Sequence, residues 1–515
     1  MKFDLRQGCL PPHGELETHC VQQGASKSVA IIGAGSAGLA MLKSLLDLPV
    51  ETRADWDIIL YEKRGDVGGI WLPDASPSPP PAVPETPLYP LLHANTPVPM
   101  MTYPGFPFPP GTPLFPLHEY IEQYHRDYAT QYGLWPYIKF NHTVLSSSWV
   151  GTPQTGHWEI IVEDGNGNRV QRSIDHLVVA NGHNHAPHII VFPGQEAWLE
   201  NAKGGPEREI LHSVWYRDPN QYVNRTVIVV GGGASGVDIA SQVSQYAHKV
   251  YLSVRSSPLE TPTGPVEMKL GISHFTPEAV VFTDGSVAQD IDTVLLGTGY
   301  DLRMPFLEEG GEVIVKPGSN KSDGRKLTTN LRYLFPLHKH IFSLSESYPT
   351  NALAFIGLPI FSFSCALDTA QSIYASSIIA NGSLLESRAE LLNQLADSEE
   401  DLRSRGYDPY YIGHRMVDNS TFDYQENLID TLRSKGGLPD QNTTFVDPWR
   451  REGVYYWGNV KRGWNRLEAL GLAEKWLEGV ESEEEWVELM RRVNAWQKDW
   501  ETVHQVTFPD EELIY

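Results

Sequence analysis

Two aliphatic runs, Val29–Ile32 and Val227–Val230, each break at a glycine and give way to a helical pattern of small and apolar residues. A short, uninterrupted apolar run bounded by turn signals predicts a strand buried on both faces of a parallel sheet. The pattern thus predicts one strand–turn–helix–strand unit over about 28–63 and a second from about 225 to 300. Between them, 142–180 alternates apolar and polar positions around a turn at Asp164–Gly167, which predicts antiparallel strands. A helical period from Leu117 to Leu134 sets Tyr120, Tyr124 and Tyr128 on one face as core packing. The prolines of Pro73–Pro90 bar that stretch from a central sheet and predict a surface loop. Beyond 390 the chain reads mainly as helices, with ESEEEW at 481–486 as a solvated face.

Both breaks fit G-x-G-x-x-G: Gly33, Gly35 and Gly38 around Ser36, then Gly231, Gly233 and Gly236 around Ser235. The first glycine makes the tight turn, the second lets backbone approach a pyrophosphate, and the third lets helix and strand pack closely. The phosphates then rest on free N–H groups at the helix start. After the first helix, the strand WDIILYEK ends at Glu62, the place for a carboxylate that holds ribose hydroxyls. After the second, the matching region carries Arg255, Ser256 and Ser257 and no acid, which suits a 2′-phosphate. These differences assign FAD to the first turn and NADPH to the second. The alternatives are a solvated strand-end charge for Glu62 and an ordinary surface arginine for Arg255. The strand endings VVANG and LLGTG, closing at Gly182 and Gly299, read as crossings between two units. The fold class is therefore α/β. Two Rossmann-like dinucleotide-binding domains are expected, the NADPH domain (191–330) inserted into the FAD domain (28–190 and 331–440), with a helical C-terminal extension at 441–515 and a loose arm at 1–27.

Composition narrows the partners. The 515 residues carry a net charge of −24, which argues against nucleic acid and anionic membrane. No apolar run approaches a membrane span and the N-terminus lacks a secretory core, so a cytoplasmic protein is expected, with a homodimer left open. The three cysteines, Cys9, Cys20 and Cys365, form no C-x-x-C, which removes the redox dithiol of a disulfide reductase. Five N-x-S/T triplets, at Asn141, Asn224, Asn381, Asn419 and Asn442, read as chance matches. His183, His185 and His188, and His338 and His340, lack a metal-ligand spacing, so no metal is expected.

Taken together, the ordered motifs resemble the flavin-containing monooxygenase family over roughly 28–440. They are GAGSAG, the acid of YEK, GGIW at 68–71, HANTPVPMMTYPGFPFP at 93–109, LHSVWYR at 211–217, GGGASG, GTGY at 297–300 and LAFIGLP at 353–359. The fingerprint's first half, F-x-G, should occupy 206–208, where this chain has Pro206, Glu207 and Arg208; Phe192-Pro193-Gly194 lies upstream. The resemblance implies that NADPH reduces FAD and that oxygen adds to the flavin C4a carbon. The resulting hydroperoxide passes one atom to a nitrogen or sulfur of an amine, indole or thioether. It implies Asn95 beside the reactive flavin edge, Gly69 and Trp71 against the flavin, and His212 and Tyr216 in the fingerprint. Thr298, Gly299 and Tyr300 would lie near the flavin and the hinge. Bland readings stand beside these: a turn-forming Asn95, a core Trp71, a linker His212, and core packing for Phe361 and Phe363, which otherwise line a substrate pocket. The rivals are a Baeyer–Villiger oxygenase acting on a ketone and a non-catalytic nucleotide-binding protein.

Overall fold

Residues 27–32 (KSVAII) have no polar side chain from Val29 onward, and the strand they form lies in the middle of a seven-stranded sheet. The computed structural model describes residues 17–18, 26–201, 207–256, 258, 261–322, 324–439 and 443–506. Cys9, Cys20, Pro206, Ser257, Asn442 and most of the arm at 1–27 lie outside them. In the first sheet the order is Leu337–His338, Phe342–Ser343, Leu353–Phe355, His176–Val179, Lys27–Ile32, Trp56–Tyr61, Ile138–Lys139. The last five run parallel. One face is covered by the first glycine helix, Ser36–Leu46, which packs along Ser364–Ala380. Alanines on both helices, Ala37, Ala40, Ala366 and Ala370, are buried and allow that close approach. The other face meets an antiparallel meander, His142–Val150, His157–Asp164 and Arg169–Ile174, with the turn at 164–169 as expected.

A second, five-stranded sheet is wholly parallel, in the order Glu209–His212, Thr293–Leu296, Thr226–Val230, Lys249–Val254, Val266–Leu270. The chain enters and leaves this unit side by side, because Ala186–Pro187 pairs antiparallel with Tyr300–Asp301. The two units and the insertion of one into the other are thus as the strand pattern predicts. Leu302, Met304, Phe306 and Leu307 already pack with Ile32, Val179 and Phe355, ahead of the limit at 330. Phe192-Pro193-Gly194 turns onto the second unit: the Phe275 amide donates to Pro193 at 2.8 Å, and a Cβ on Gly194 would stand 2.1 Å from the Phe275 carbonyl oxygen.

Three expectations change on inspection. Tyr124 and Tyr128 are buried, but Tyr120 is 44% exposed. Each i→i+4 step turns the side chain by about 40°, so the third tyrosine drifts off the face. The loop at 73–90 is not all surface: Thr86, Leu88 and Tyr89 are buried, and Tyr89 sits in the second unit's core against Tyr216. ESEEEW is a helix start more than a solvated face. Ser482 and Glu485 form a capping box for Glu483–His504, and Trp486 is buried beside Val98, Pro99 and Phe108 in the core shared with the first unit. Glycine at 463 lets this helix cross Trp457–Ala469 closely, since a Cβ there would meet Val493 Cγ1 at 2.8 Å.

Candidate functional site

The two glycine turns are the same device built twice. Gly33 and Gly231 adopt φ of 104° and 116°, conformations that favour glycine. A Cβ on Gly38 would lie 1.8 Å from the Gly33 carbonyl oxygen, and one on Gly236 1.9 Å from that of Gly231. These glycines are fixed by backbone packing. The middle glycines differ. A Cβ on Gly233 meets nothing within 4 Å, so the second turn presents bare backbone to open space. Gly35 faces Gly69, whose Cβ would stand 3.0 Å from the Gly35 Cα. The first turn is therefore packed against a second glycine backbone, with Trp71 half-buried just beyond it. Glycine turns that open a helix with free N–H groups fit the pyrophosphates of two dinucleotides.

Glu62 is buried at the end of its strand and ties the first turn in place. Its Oε2 accepts from the Ala34 amide at 2.7 Å and its Oε1 from the Arg64 amide at 2.9 Å. Burial pushes its carboxyl up, and the two amides pull it back. Each oxygen keeps a lone pair, enough for a diol. Arg64, which spacing alone does not single out, clamps the Gly69–Trp71 turn by donating to the carbonyls of Gly69 (3.2 Å), Leu72 (2.7 Å) and Pro73 (2.5 Å).

A second group missed by sequence reading is Asp368. Its Oδ2 accepts from the Ser36 hydroxyl at 2.7 Å, and only a glycine at 357 fits beside it, where a Cβ would meet its Oδ1 at 3.3 Å and Ala37 Cβ at 3.0 Å. The acid lies 332 positions from its partner, so no local motif could reveal it. Burial pushes Asp368 up to about 7 and the Ser36 hydroxyl lowers it. In the unfolded chain the group ionises near 4, about three pH units lower. Stability therefore falls as pH rises from about 4 to about 7 and is level above. The Asp368→Asn variant, which cannot ionise, should gain on the order of 3–4 kcal/mol relative to wild type across that window. Melting curves of both proteins at pH 5 and pH 8 check this. A difference that does not change between them means the folded carboxyl is already charged at pH 5.

His212 is buried and both ring nitrogens are occupied. Nδ1 accepts from the Val214 amide at 3.0 Å, and Nε2 donates to the Gly299 carbonyl at 2.9 Å. Burial lowers it to about 4, so the ring is neutral. It braces the entry strand against GTGY, edge-on to Tyr300 at 5.3 Å. Thr298 donates to the His188 carbonyl, and Gly299 also accepts from the His188 amide at 2.9 Å, which locks the hinge. Tyr216 is likewise buried, its hydroxyl donating to Gln242 Oε1 at 2.9 Å. His212 and Tyr216 thus point into protein, whereas Gly233, Ser235, Arg255 and Ser256 line the open side of the second unit. Phe363 stacks on Phe422 as core, while Phe361 is 37% exposed. Among the described residues no cluster of His, Cys, Asp and Glu could hold a metal, and no helix is long and apolar enough to cross a membrane.

One segment joins the two turns. At its start, Tyr89 donates to Asp238 and the Leu91 carbonyl accepts from Gln242 at 3.2 Å, both on the second glycine helix, Ala234–Val243. At its end, the Tyr103 hydroxyl donates to the Ser36 carbonyl at 3.1 Å, on the first. Asn95 lies exposed between, and its side chain takes only a long contact from Thr96 at 3.4 Å. It is not spent on capping its own turn.

The chain is similar to several known proteins. The family described as flavin-binding monooxygenase-like matches residues 26–260 and 258–458. Flavin-containing monooxygenase FMO GS-OX-like 2 of Arabidopsis thaliana is 29% identical over 430 residues, 79% of this chain and 84% of its own. Flavin-containing monooxygenase 5 of Oryctolagus cuniculus is 27% identical over 501 residues, 82% and 86% of the two chains. Among solved structures, S-allyl-L-cysteine S-oxygenase from Allium sativum shares the fold, with a TM-score of 0.70 at 23% identity over 91% of this chain and 98% of that one.

Proposed function

The chain belongs to the flavin-binding monooxygenase-like family, and from that premise we propose that it moves one atom of O2 onto a nitrogen or sulfur of a small organic substrate. It is an oxidoreductase, and its cofactors are FAD and NADPH. The observation that carries the proposal is the segment from Tyr89 to Tyr103, fastened to both glycine helices with the Asn95 amide bare between them. FAD is assigned to Gly33, Gly35, Ser36, Gly38 and Gly69, with Glu62 on its ribose. NADPH is assigned to Gly231, Gly233, Ser235 and Gly236, with Arg255 and Ser256 toward its 2′-phosphate.

When bound and reduced, FAD supplies the activation of oxygen. The chain's own residues orient and shelter it. Asn95 offers an unspent N–H donor between the two glycine helices, and the proline-rich strap lies at the junction of the two units. That strap is held by Trp215 Nε1 on the Ala82 carbonyl at 2.9 Å and by Arg217 on the Thr86 carbonyl at 3.2 Å. Excluding water there limits the loss of reducing equivalents to peroxide. His212 and Tyr216 act as braces that hold GTGY and the second glycine helix.

The test is NADPH oxidation by the purified yellow protein with a thioether, an amine, an indole and a ketone, each product weighed for one added oxygen. A thioether or amine product is expected; an ester from the ketone alone would overturn the proposal. Asn95→Ala should keep its flavin yet lose about tenfold or more in product formed per NADPH consumed, since a hydrogen-bond donor at a charged reacting centre is worth that much or more. Product and hydrogen peroxide measured together check it, and an unchanged ratio removes Asn95 from the site.

A further inference from the structure

Two arginines of the first unit, Arg415 and Arg332, share the Tyr411 ring and form no ion pair among the described residues. Arg415 lies where residue 360 bridges to it beside the edge of the first unit. Its guanidinium carbon stands 5.6 Å from the Phe361 ring and 6.0 Å from the Tyr411 ring. Arg332, on the neighbouring turn, stands over the same Tyr411 ring at 4.8 Å. Arg255 comes from the other side, one residue past the second unit's strand Lys249–Val254. It is near enough for its charge, with that of Arg332, to hold the Arg415 guanidinium below its usual range, behind burial as the larger cause.

Among the described residues none of the three forms an ion pair, and Arg415 Nε is buried without a hydrogen-bond partner. Other half-buried or buried arginines do find partners: Arg172 meets Asp57 at 2.6 Å, Arg225 meets Glu209 at 2.6 Å and Arg450 meets Glu483 at 3.1 Å, while Arg64 and Arg217 donate to backbone carbonyls. The chain has 64 acidic residues to 40 basic ones, so unpaired guanidiniums gathered in one place are not forced by composition. Arg415 is half-buried and Arg332 and Arg255 are exposed, and like charges beside a half-buried guanidinium cost free energy unless an anion joins them. The aromatic rings of Phe361 and Tyr411 fix the two flavin-side guanidiniums in place by cation–π contact.

We propose that Arg415 and Arg332, carried by the flavin-side unit, complete with Arg255 the binding site for the 2′-phosphate of the nicotinamide cofactor, which is thereby gripped from both units. This rests on the assignment of NADPH to the second glycine turn. A phosphate dianion is the fitting ligand because guanidinium forks match its oxygens, and several forks can share one phosphate. A dinucleotide without the 2′-phosphate engages the glycine turn but leaves the flavin-side pair empty. Discrimination between the two cofactors therefore depends on residues far in sequence from the turn that binds them.

The test uses the FAD-loaded protein and calorimetric titration with NADP+, NAD+ and 2′-AMP, for wild type and the variants R255Q, R332Q, R415Q and R415K. R415Q and R332Q should each weaken NADP+ and 2′-AMP about tenfold or more, the worth of a charge-assisted hydrogen bond, and leave NAD+ within about twofold. R415K should retain most of the affinity. Without NADP+, R415Q should melt no lower than wild type, because it removes a repelled and unpaired charge. Unchanged NADP+ affinity in R415Q and R332Q, with affinity lost in R255Q, overturns the proposal while the 2′-phosphate reading of the second turn stands. A wild-type protein that binds NAD+ as tightly as NADP+ overturns that reading too. If R415Q fails to fold, the exposed Arg332 decides, since R332Q leaves the packing intact.

Discussion

Replacing Gly38 with alanine should give a protein that purifies without flavin. The added Cβ would stand 1.8 Å from the Gly33 carbonyl oxygen and 2.9 Å from its carbon. Both are backbone atoms of the glycine turn, and neither can move without the other. The helix must shift away from the strand or the turn must open, and either breaks the Gly35–Gly69 approach. A clash of this kind belongs with the severe core substitutions, on the order of 4 kcal/mol or more. Absorbance at the flavin bands and thermal melting measure both consequences. A variant with a full complement of FAD and a wild-type melting temperature would show that the turn is not packed as described.

Arg450→Ala should be nearly as damaging, far from either glycine turn. Arg450 is 3% exposed and donates to the Pro99 carbonyl at 3.0 Å, Thr102 Oγ1 at 2.6 Å and Glu483 Oε1 at 3.1 Å. Burial pushes the Glu483 carboxyl up and Arg450 pulls it back, so the arginine keeps a shielded charge tolerable. Removing it alone strands that charge at a cost of about 3–5 kcal/mol. Removing both partners together is far cheaper, because no uncompensated charge remains. Urea unfolding of R450A, and of R450M combined with E483L, separates the cases. The single variant should lose most of that energy and the double variant should recover most of it. Equal loss in both would mean that packing, not charge, holds the C-terminal helices to Val98–Met101.

The strand–turn–helix units were legible because every signal in them is local. Glycines at fixed spacing, a β-branched run before and a strand-end Glu62 lie within about 35 residues of one another, and short-range rules cover that distance. The partners of those residues were not legible. Ser36 finds Asp368 and Tyr89 finds Asp238 only once the sheets have formed, and no periodicity links such distant positions. His212 shows a different limit. The motif fixed its place, but only the structure shows both ring nitrogens spent on backbone. Tyr120 and Leu88 show a third: amphipathic period and proline content predict average exposure, and neighbours from other elements decide each side chain.

Because the stretch holding Asn95 is anchored to Asp238 and Gln242 at one end and to the Ser36 carbonyl at the other, it behaves as a tie-rod across a joint. Any swing of the nicotinamide-side body about the paired strands at 186–187 and 300–301 must pull on it. The Asn95 amide is therefore displaced whenever that body moves, so its place relative to the first glycine turn is set by a part of the chain to which it does not itself belong.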